Sequence, residues 1–142
     1  MGQQLPPQVL TVLVVDDEPV ARRVAFRILS EQGYRVFEAA DTDEALHVLT
    51  HARGRVDLVV LDVVMPGSDG VELASAILSE WPDQRILFMS AYPAEVLARH
   101  GLADLHVPFL AKPYTRTEVL TKVREVLARP RRPSTEAQQQ GE

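Results

Sequence analysis

Four apolar runs in this chain are each followed at once by residues able to do chemistry. Asp16, Asp17 and Glu18 follow residues 10–15, Asp62 follows 57–61, Ser90 follows 85–89, and Lys112 with Pro113 follows 106–111. If these runs lie side by side, the carboxylates of Asp16, Asp17 and Asp62 meet a hydroxyl and an ammonium. Two carboxylates ~4 Å apart repel by roughly 4 kcal/mol at an effective dielectric near 20, so a trio needs a cation or must take up protons. Oxygen ligands without His or Cys suit Mg²⁺, which keeps several waters and takes only a few protein carboxylates. Each piece also has a plainer reading. Acidic residues at strand ends cap helices or face solvent, a serine there is a turn residue, and a lysine before proline is a surface charge.

The lysine stands out by composition, since the chain has two lysines against thirteen arginines. A compact ammonium can act as a point charge beside a carboxylate and a phosphoryl oxygen. The set fits phosphoryl transfer, which rests on positioning and charge stabilisation more than on covalent help from the protein. Asp62 is the natural nucleophile, because it lies between the acidic pair and the Ser90/Lys112 side. Mg²⁺ and Lys112 would offset charge on the oxygens, and the Ser90 hydroxyl would donate to the new group.

The elements that must position these residues follow from periodicity. Apolar runs at 10–15, 34–39, 57–61, 85–89 and 106–111 alternate with helical spacing. Ala21, Val24, Ala25, Ile28 and Leu29 form one stripe, with Gly33 past its end. Asp41 with Glu44, and Asp69 with Glu72, read as capping boxes. Leu73, Ile77 and Trp81 form the buried stripe of the third helix. Thr115 with Glu118 opens the last helix, whose apolar face is Val119, Leu120, Val123, Val126 and Leu127. Five strands alternating with five helices predict βαβ units and a parallel sheet covered on both faces. The first and third runs are nearly continuous in apolar residues, as central strands are, whereas the run with Arg35 and Glu38 suits an edge. The expected fold is α/β, a doubly wound five-stranded parallel sheet of order 2-1-3-4-5, flavodoxin-like (βα)5. Ligands of such sheets bind beyond the carboxyl ends of the strands, where strands 1 and 3 diverge.

At 142 residues, with 46% apolar and 25% charged side chains, the chain fits one globular domain with a real core. Expected boundaries are a flexible lead-in over 1–8, the domain over 9–129, and a disordered tail or linker over 130–142, where no large apolar residue occurs. A net charge of −5 argues against direct nucleic-acid contact, which needs clustered Lys and Arg. The absence of cysteine excludes disulfides, thiolate nucleophiles and Cys-based zinc sites. No apolar stretch approaches the length of a membrane span, and the N-terminus does not read as a signal peptide, so a cytoplasmic protein is expected.

Over residues 9–128 the sequence resembles the bacterial response-regulator receiver family, the phosphoacceptor half of two-component signalling. The resemblance is carried in order by Asp16–Asp17, by Asp62, Met65, Pro66, Asp69 and Gly70, by Ser90–Ala91 and by Lys112–Pro113. Phe88 through Tyr92 and Ala111 through Tyr114 are most similar to receivers of hybrid histidine kinases. The resemblance implies Mg²⁺ held by Asp17, Asp62 and the backbone carbonyl of Val64, with Asp16 acting mostly through water. It implies a cis Lys112–Pro113 bond and a switch in which Phe109 swings inward as the Ser90 hydroxyl moves toward the phosphoryl group. Phe109 also reads as a plain core residue. Val64 and Tyr92 fall at positions that tune dephosphorylation in the family, and Val64 has no side chain to orient water. The implied switching surface is residues 94–100 with the face toward the fifth strand.

The expected partner is a histidine kinase or histidine phosphotransfer protein, with no direct nucleic-acid or membrane contact and at most a weak homodimer. The protein is then not a conventional enzyme, although it catalyses its own phosphorylation and dephosphorylation. Three other readings compete with this one. A degenerate receiver acting only as a binding module is disfavoured because all five site positions are retained. A haloacid-dehalogenase-like phosphatase, which also uses an aspartyl nucleophile, wants Asp-x-Asp and a cap insertion. In a flavodoxin-like electron carrier, Asp17, Glu18 and Pro19 would repel FMN phosphate.

Overall fold

The structure, a computed structural model, describes residues 8–52, 55–65, 68–93 and 107–130. Its elements in chain order are β1 (Thr11–Val15), α1 (Pro19–Glu31), β2 (Arg35–Ala39), α2 (Thr42–His51), β3 (Leu58–Asp62), β4 (Val64–Met65), β5 (Ser68–Asp69), α3 (Gly70–Glu80), β6 (Ile86–Ser90), β7 (Phe109–Ala111) and α4 (Arg116–Ala128). Five strands form one sheet in the order β2-β1-β3-β6-β7, all pairs parallel. Counting only these strands, this is the expected 2-1-3-4-5 order. The two extra strands are a short antiparallel hairpin, Val64 opposite Asp69 and Met65 opposite Ser68, that periodicity could not reveal. The helix expected around 94–100 lies outside the described residues, as do Pro66 and most of the two expected end segments.

Side chains alternate across the strands, so the sheet feeds two cores. Leu13, Val15, Val59, Leu61 and Phe88 pack with Ala45 and Leu49 of α2 and Leu73, Ala74 and Ile77 of α3. Val12, Val14, Leu58, Val60, Leu87 and Met89 pack on the opposite face with Ala25 and Leu29 of α1 and Val119 and Val123 of α4. The β1 and β3 strands are central and buried on both faces, and β2 is an edge whose Arg35 is exposed.

The helix ends show where local chemistry differs from the expected pattern. Glu18 caps α1, accepting from the backbone N–H of Val20 and Ala21, with Pro19 at the first helical position. The Thr115/Glu118 box on α4 is reciprocal as predicted. Asp41 accepts from Glu44 N, but the Glu44 side chain accepts from Ala40 N, one residue before the cap. Asp69 accepts from Val71 N. Gly33 has φ of 105° just beyond α1, a conformation glycine adopts without a Cβ clash. Val24 is not part of the buried stripe of α1 and is 47% exposed. The buried line runs through Ala25 and Leu29, and an adjacent residue is turned by about 100° from it. Trp81 is half-buried at the C-cap of α3 rather than fully inside.

Candidate functional site

Parallel strands end at a common edge, and the register of this sheet decides what stands there. Val15 of β1 pairs with Leu61, so Asp16 follows level with Asp62 on the neighbouring strand. Asp62 pairs with Met89, and Ser90 pairs with Ala111, so Ser90 and Lys112 each project one step further along the same edge. Backbone bonds from Val63 N to Met89 O and from Lys112 N to Ser90 O continue the ladder through this rim.

The acidic groups converge as expected. Carboxylate oxygens of Asp16, Asp17 and Asp62 lie within 4.8 Å of one another. Asp16 is 1% and Asp62 8% exposed, while Asp17 is half-buried. The Lys112 ammonium donates to Asp16 Oδ2 at 2.8 Å and to Asp62 Oδ2 at 2.9 Å. The second oxygen of each carboxylate accepts from backbone, Asp16 Oδ1 from Glu18 N and Asp62 Oδ1 from Val64 N, both at 3.0 Å. Every oxygen of the two buried acids therefore has a donor, which is what allows them to remain inside.

Charge and burial pull in opposite directions here. Burial pushes the Asp62 carboxyl above its ordinary range, and the Lys112 hydrogen bond and charge offset only part of that. Burial would lower the Lys112 ammonium, but hydrogen bonds and charge from Asp16 and Asp62 outweigh it and leave it raised. Burial likewise raises the Tyr114 phenol beside them. One ammonium shared between two buried acids, with a third acid at hand, leaves the rim short of positive charge. The donor set is all oxygen and partly exposed through Asp17. It fits a hard divalent cation such as Mg²⁺.

Ser90 is 1% exposed, and its Oγ accepts from Tyr92 N at 3.0 Å, so the hydroxyl is engaged within its own turn. Phe109 is half-buried against the core on the α2/α3 side. The Lys112–Pro113 bond is cis. Val64 is 43% exposed and is held by the β4–β5 hairpin beside Asp62.

Two residues position the site in ways that the sequence does not show. Arg22 donates to the backbone carbonyl of Asp16 at 2.8 Å while pairing with Glu38, so it ties the acidic loop to the edge strand. Nothing in one dimension separates it from the other arginines. Gly70 belongs to the motif, but its reason is spatial. A Cβ there would lie 2.6 Å from the Asp62 carbonyl and from the Val63 Cα and carbonyl.

A model of the response regulator receiver domain matches residues 12–124. The chain belongs to the response-regulator receiver family. Among curated relatives of this receiver, the sensor kinase CckA of Brucella abortus is 41% identical over 117 residues, 82% of this chain and 12% of the kinase. The chain spans about half the length, or less, of the curated relatives it matches. Among solved structures, the receiver domain of the hybrid histidine kinase CckA is 33% identical with a TM-score of 0.69, covering 82% of this chain and 98% of that one. The response regulator TrrA of Thermotoga maritima, solved in complex with Mg²⁺ and BeF, is 33% identical with a TM-score of 0.71, covering 83% and 99%. The likeness to receivers of hybrid histidine kinases thus extends from sequence to structure. The comparisons favour neither the phosphatase nor the degenerate binding module. No described helix is long and apolar enough to cross a membrane.

Proposed function

We propose that Asp62 of this receiver accepts a phosphoryl group from a histidine kinase or a histidine phosphotransfer protein, and that the resulting charge switches the domain. The observation that carries the reading is the Lys112 ammonium bridging Asp16 and Asp62 at 2.8 and 2.9 Å, with Asp17 in the same cluster. A carboxylate oxygen of Asp62 attacks phosphorus, the P–N bond to the donor imidazole breaks, and a P–O bond forms. Lys112 is already poised beside that oxygen and offsets charge on the phosphoryl group. Asp17, Asp62 and the Val64 carbonyl, with Asp16 through water, would hold Mg²⁺, which would supply the remaining neutralisation of the phosphoryl oxygens.

Phosphorylation gives the Ser90 hydroxyl a stronger acceptor than any it meets within its own turn, and its departure lets Phe109 repack inward. Because Phe109 has no hydroxyl, the switch rests on packing. Moving a population from about 1:99 to 99:1 requires phosphorylation to favour one form by roughly 5.5 kcal/mol. Val64 orients no water, so the phosphoryl group is lost without help from position 64. The partner docks beside the rim, where Val20 and Val24 of α1 are 69% and 47% exposed next to the acidic loop. The module runs over 9–129 and acts in the cytoplasm without direct nucleic-acid contact.

Intact mass spectrometry after incubation with a small-molecule phosphodonor tests this reading. One phosphoryl group is expected on the native chain with Mg²⁺, and none in EDTA or in Asp62→Asn. Equal uptake by Asp62→Asn would reject Asp62 as the acceptor.

A further inference from the structure

At the opposite end of the sheet, a cleft of about 370 Å³ opens between the edge strand β2 and the C-terminal half of α2. Its lining includes Arg35, Phe37, His47, Val48, His51 and Arg55, and no acidic side chain. Thr11, at its floor, begins β1, whose far end leads into Asp16. Five residues of strand at ~3.3 Å each put roughly 15 Å between cleft and acidic rim, so the two are separate sites.

The Asp57 carboxylate borders this cleft, accepting from Thr11 N at 2.7 Å, but it is not ion-paired with the cleft's arginines among the described residues. Arg22 and Arg23 pair with Glu38, and Arg116 pairs with Glu31. Arg35 and Arg55 have no carboxylate partner among the described residues, in a chain whose net charge is −5. The Arg35 guanidinium lies over the Phe37 ring at 5.4 Å, which fixes a cation beside an exposed aromatic surface. The rings of His47 and His51 are 4.0 Å apart, one helical turn removed. His51 Nδ1 is 2.8 Å from the His47 carbonyl, a bond that holds this ring in place and leaves Nε2 outside it.

We propose that this cleft binds a nucleoside phosphate. The guanidinium groups of Arg35 and Arg55, both lining the cleft, take the phosphate, for which their planar donors are suited. The imidazoles supply further donors, and the flat base lies against Phe37 and Val48. The volume falls within the range of small-molecule pockets, about 300–1,000 Å³. The site does not depend on the phosphoacceptor reading of Asp62.

The test is an NMR titration of the ¹⁵N-labelled chain in EDTA with AMP, adenosine and inorganic phosphate as separate probes. Saturable AMP binding is expected, with amide shifts centred on Phe37, Val48 and His51. Adenosine and phosphate alone should each bind at least roughly tenfold more weakly, as expected when either half of the contact is lost. Arg35→Ala and Arg55→Ala are exposed changes and should each weaken AMP by about the same factor, with the rest of the spectrum unchanged. Absence of shifts in the cleft, AMP affinity indifferent to both arginines, or adenosine or phosphate binding as well as AMP would each overturn the proposal.

Discussion

The ammonium of Lys112 reaches an oxygen of the Asp62 side chain at 2.9 Å across 50 positions of sequence. The same nitrogen neutralises Asp16, so its removal strands two buried acids at once. In Mg²⁺-free buffer, Lys112→Met is expected to cost about 2 kcal/mol, less than the ~3–5 kcal/mol of a fully buried broken pair because the rim is partly open. Chemical denaturation measures this loss. Mg²⁺ should restore most of it, since a divalent cation takes over the same carboxylates. A Lys112→Met protein as stable as the native chain in EDTA would show that the ammonium is not their counterion.

The raised groups at the rim set the sign of its pH dependence. Asp62 binds its proton more tightly folded than unfolded, so its contribution to stability is full below 3.8 and is lost as pH rises through the folded value. Asp62→Asn removes that penalty. Its melting temperature in EDTA should exceed that of the native chain at pH 7, by a margin that shrinks toward pH 3.8. Lys112 and Tyr114 are also raised, from 10.5 and 10.0, so their stabilisation is present below those values and disappears as pH rises beyond them. The alkaline loss of stability should be shallower in Lys112→Met and in Tyr114→Phe. Alkaline melts superimposable on the native curve in both variants would contradict the assignment.

Gly70 is where the start of α3 touches the backbone of Asp62 and Val63. Gly70→Ala would press a methyl group against backbone atoms at 2.6 Å, which cannot rotate away. A loss of about 1–3 kcal/mol is expected from overpacking. Because the displaced atoms are the Asp62 carbonyl and Val63, Mg²⁺ affinity by calorimetry should fall as well. Unchanged stability and unchanged Mg²⁺ binding would mean that α3 shifts freely relative to Asp62.

Arg22 acts on the same rim from the other side. Arg22→Ala removes the donor to the Asp16 carbonyl and leaves Glu38 paired with Arg23 alone, so the acidic loop should loosen. Weaker Mg²⁺ binding is expected, by about one hydrogen bond to a charged group, roughly 1.5–3 kcal/mol. Arg22→Lys should recover part of it. An affinity identical to the native value in Arg22→Ala would remove Arg22 from the set that positions the site.

The sheet was legible because its central strands are covered twice. Runs such as Thr11–Val15 and Leu58–Asp62 can be little else, and the polar residues that end them must share an edge. Asp16, Asp17, Asp62 and Lys112 were therefore readable as a cluster before any coordinates. The β4–β5 hairpin was not, since two residues per strand leave no period to detect. Val24 was misplaced because a helix stripe read from apolar spacing is broader than the line that meets the sheet, and Val24 sits at its margin. Arg22 and Gly70 act through backbone atoms, Asp16 O and Asp62 O, which carry no residue-type signal at all.

The central claim is that the phosphoryl group forms an acyl phosphate on Asp62. Borohydride reduces an aspartyl phosphate to homoserine, and peptide mass mapping then reads the position directly. After treatment with a phosphodonor and Mg²⁺, homoserine is predicted at position 62 and at no other. Homoserine at Asp16 or Asp17, or a stable phosphorylated peptide without any reduced aspartate, would contradict the account.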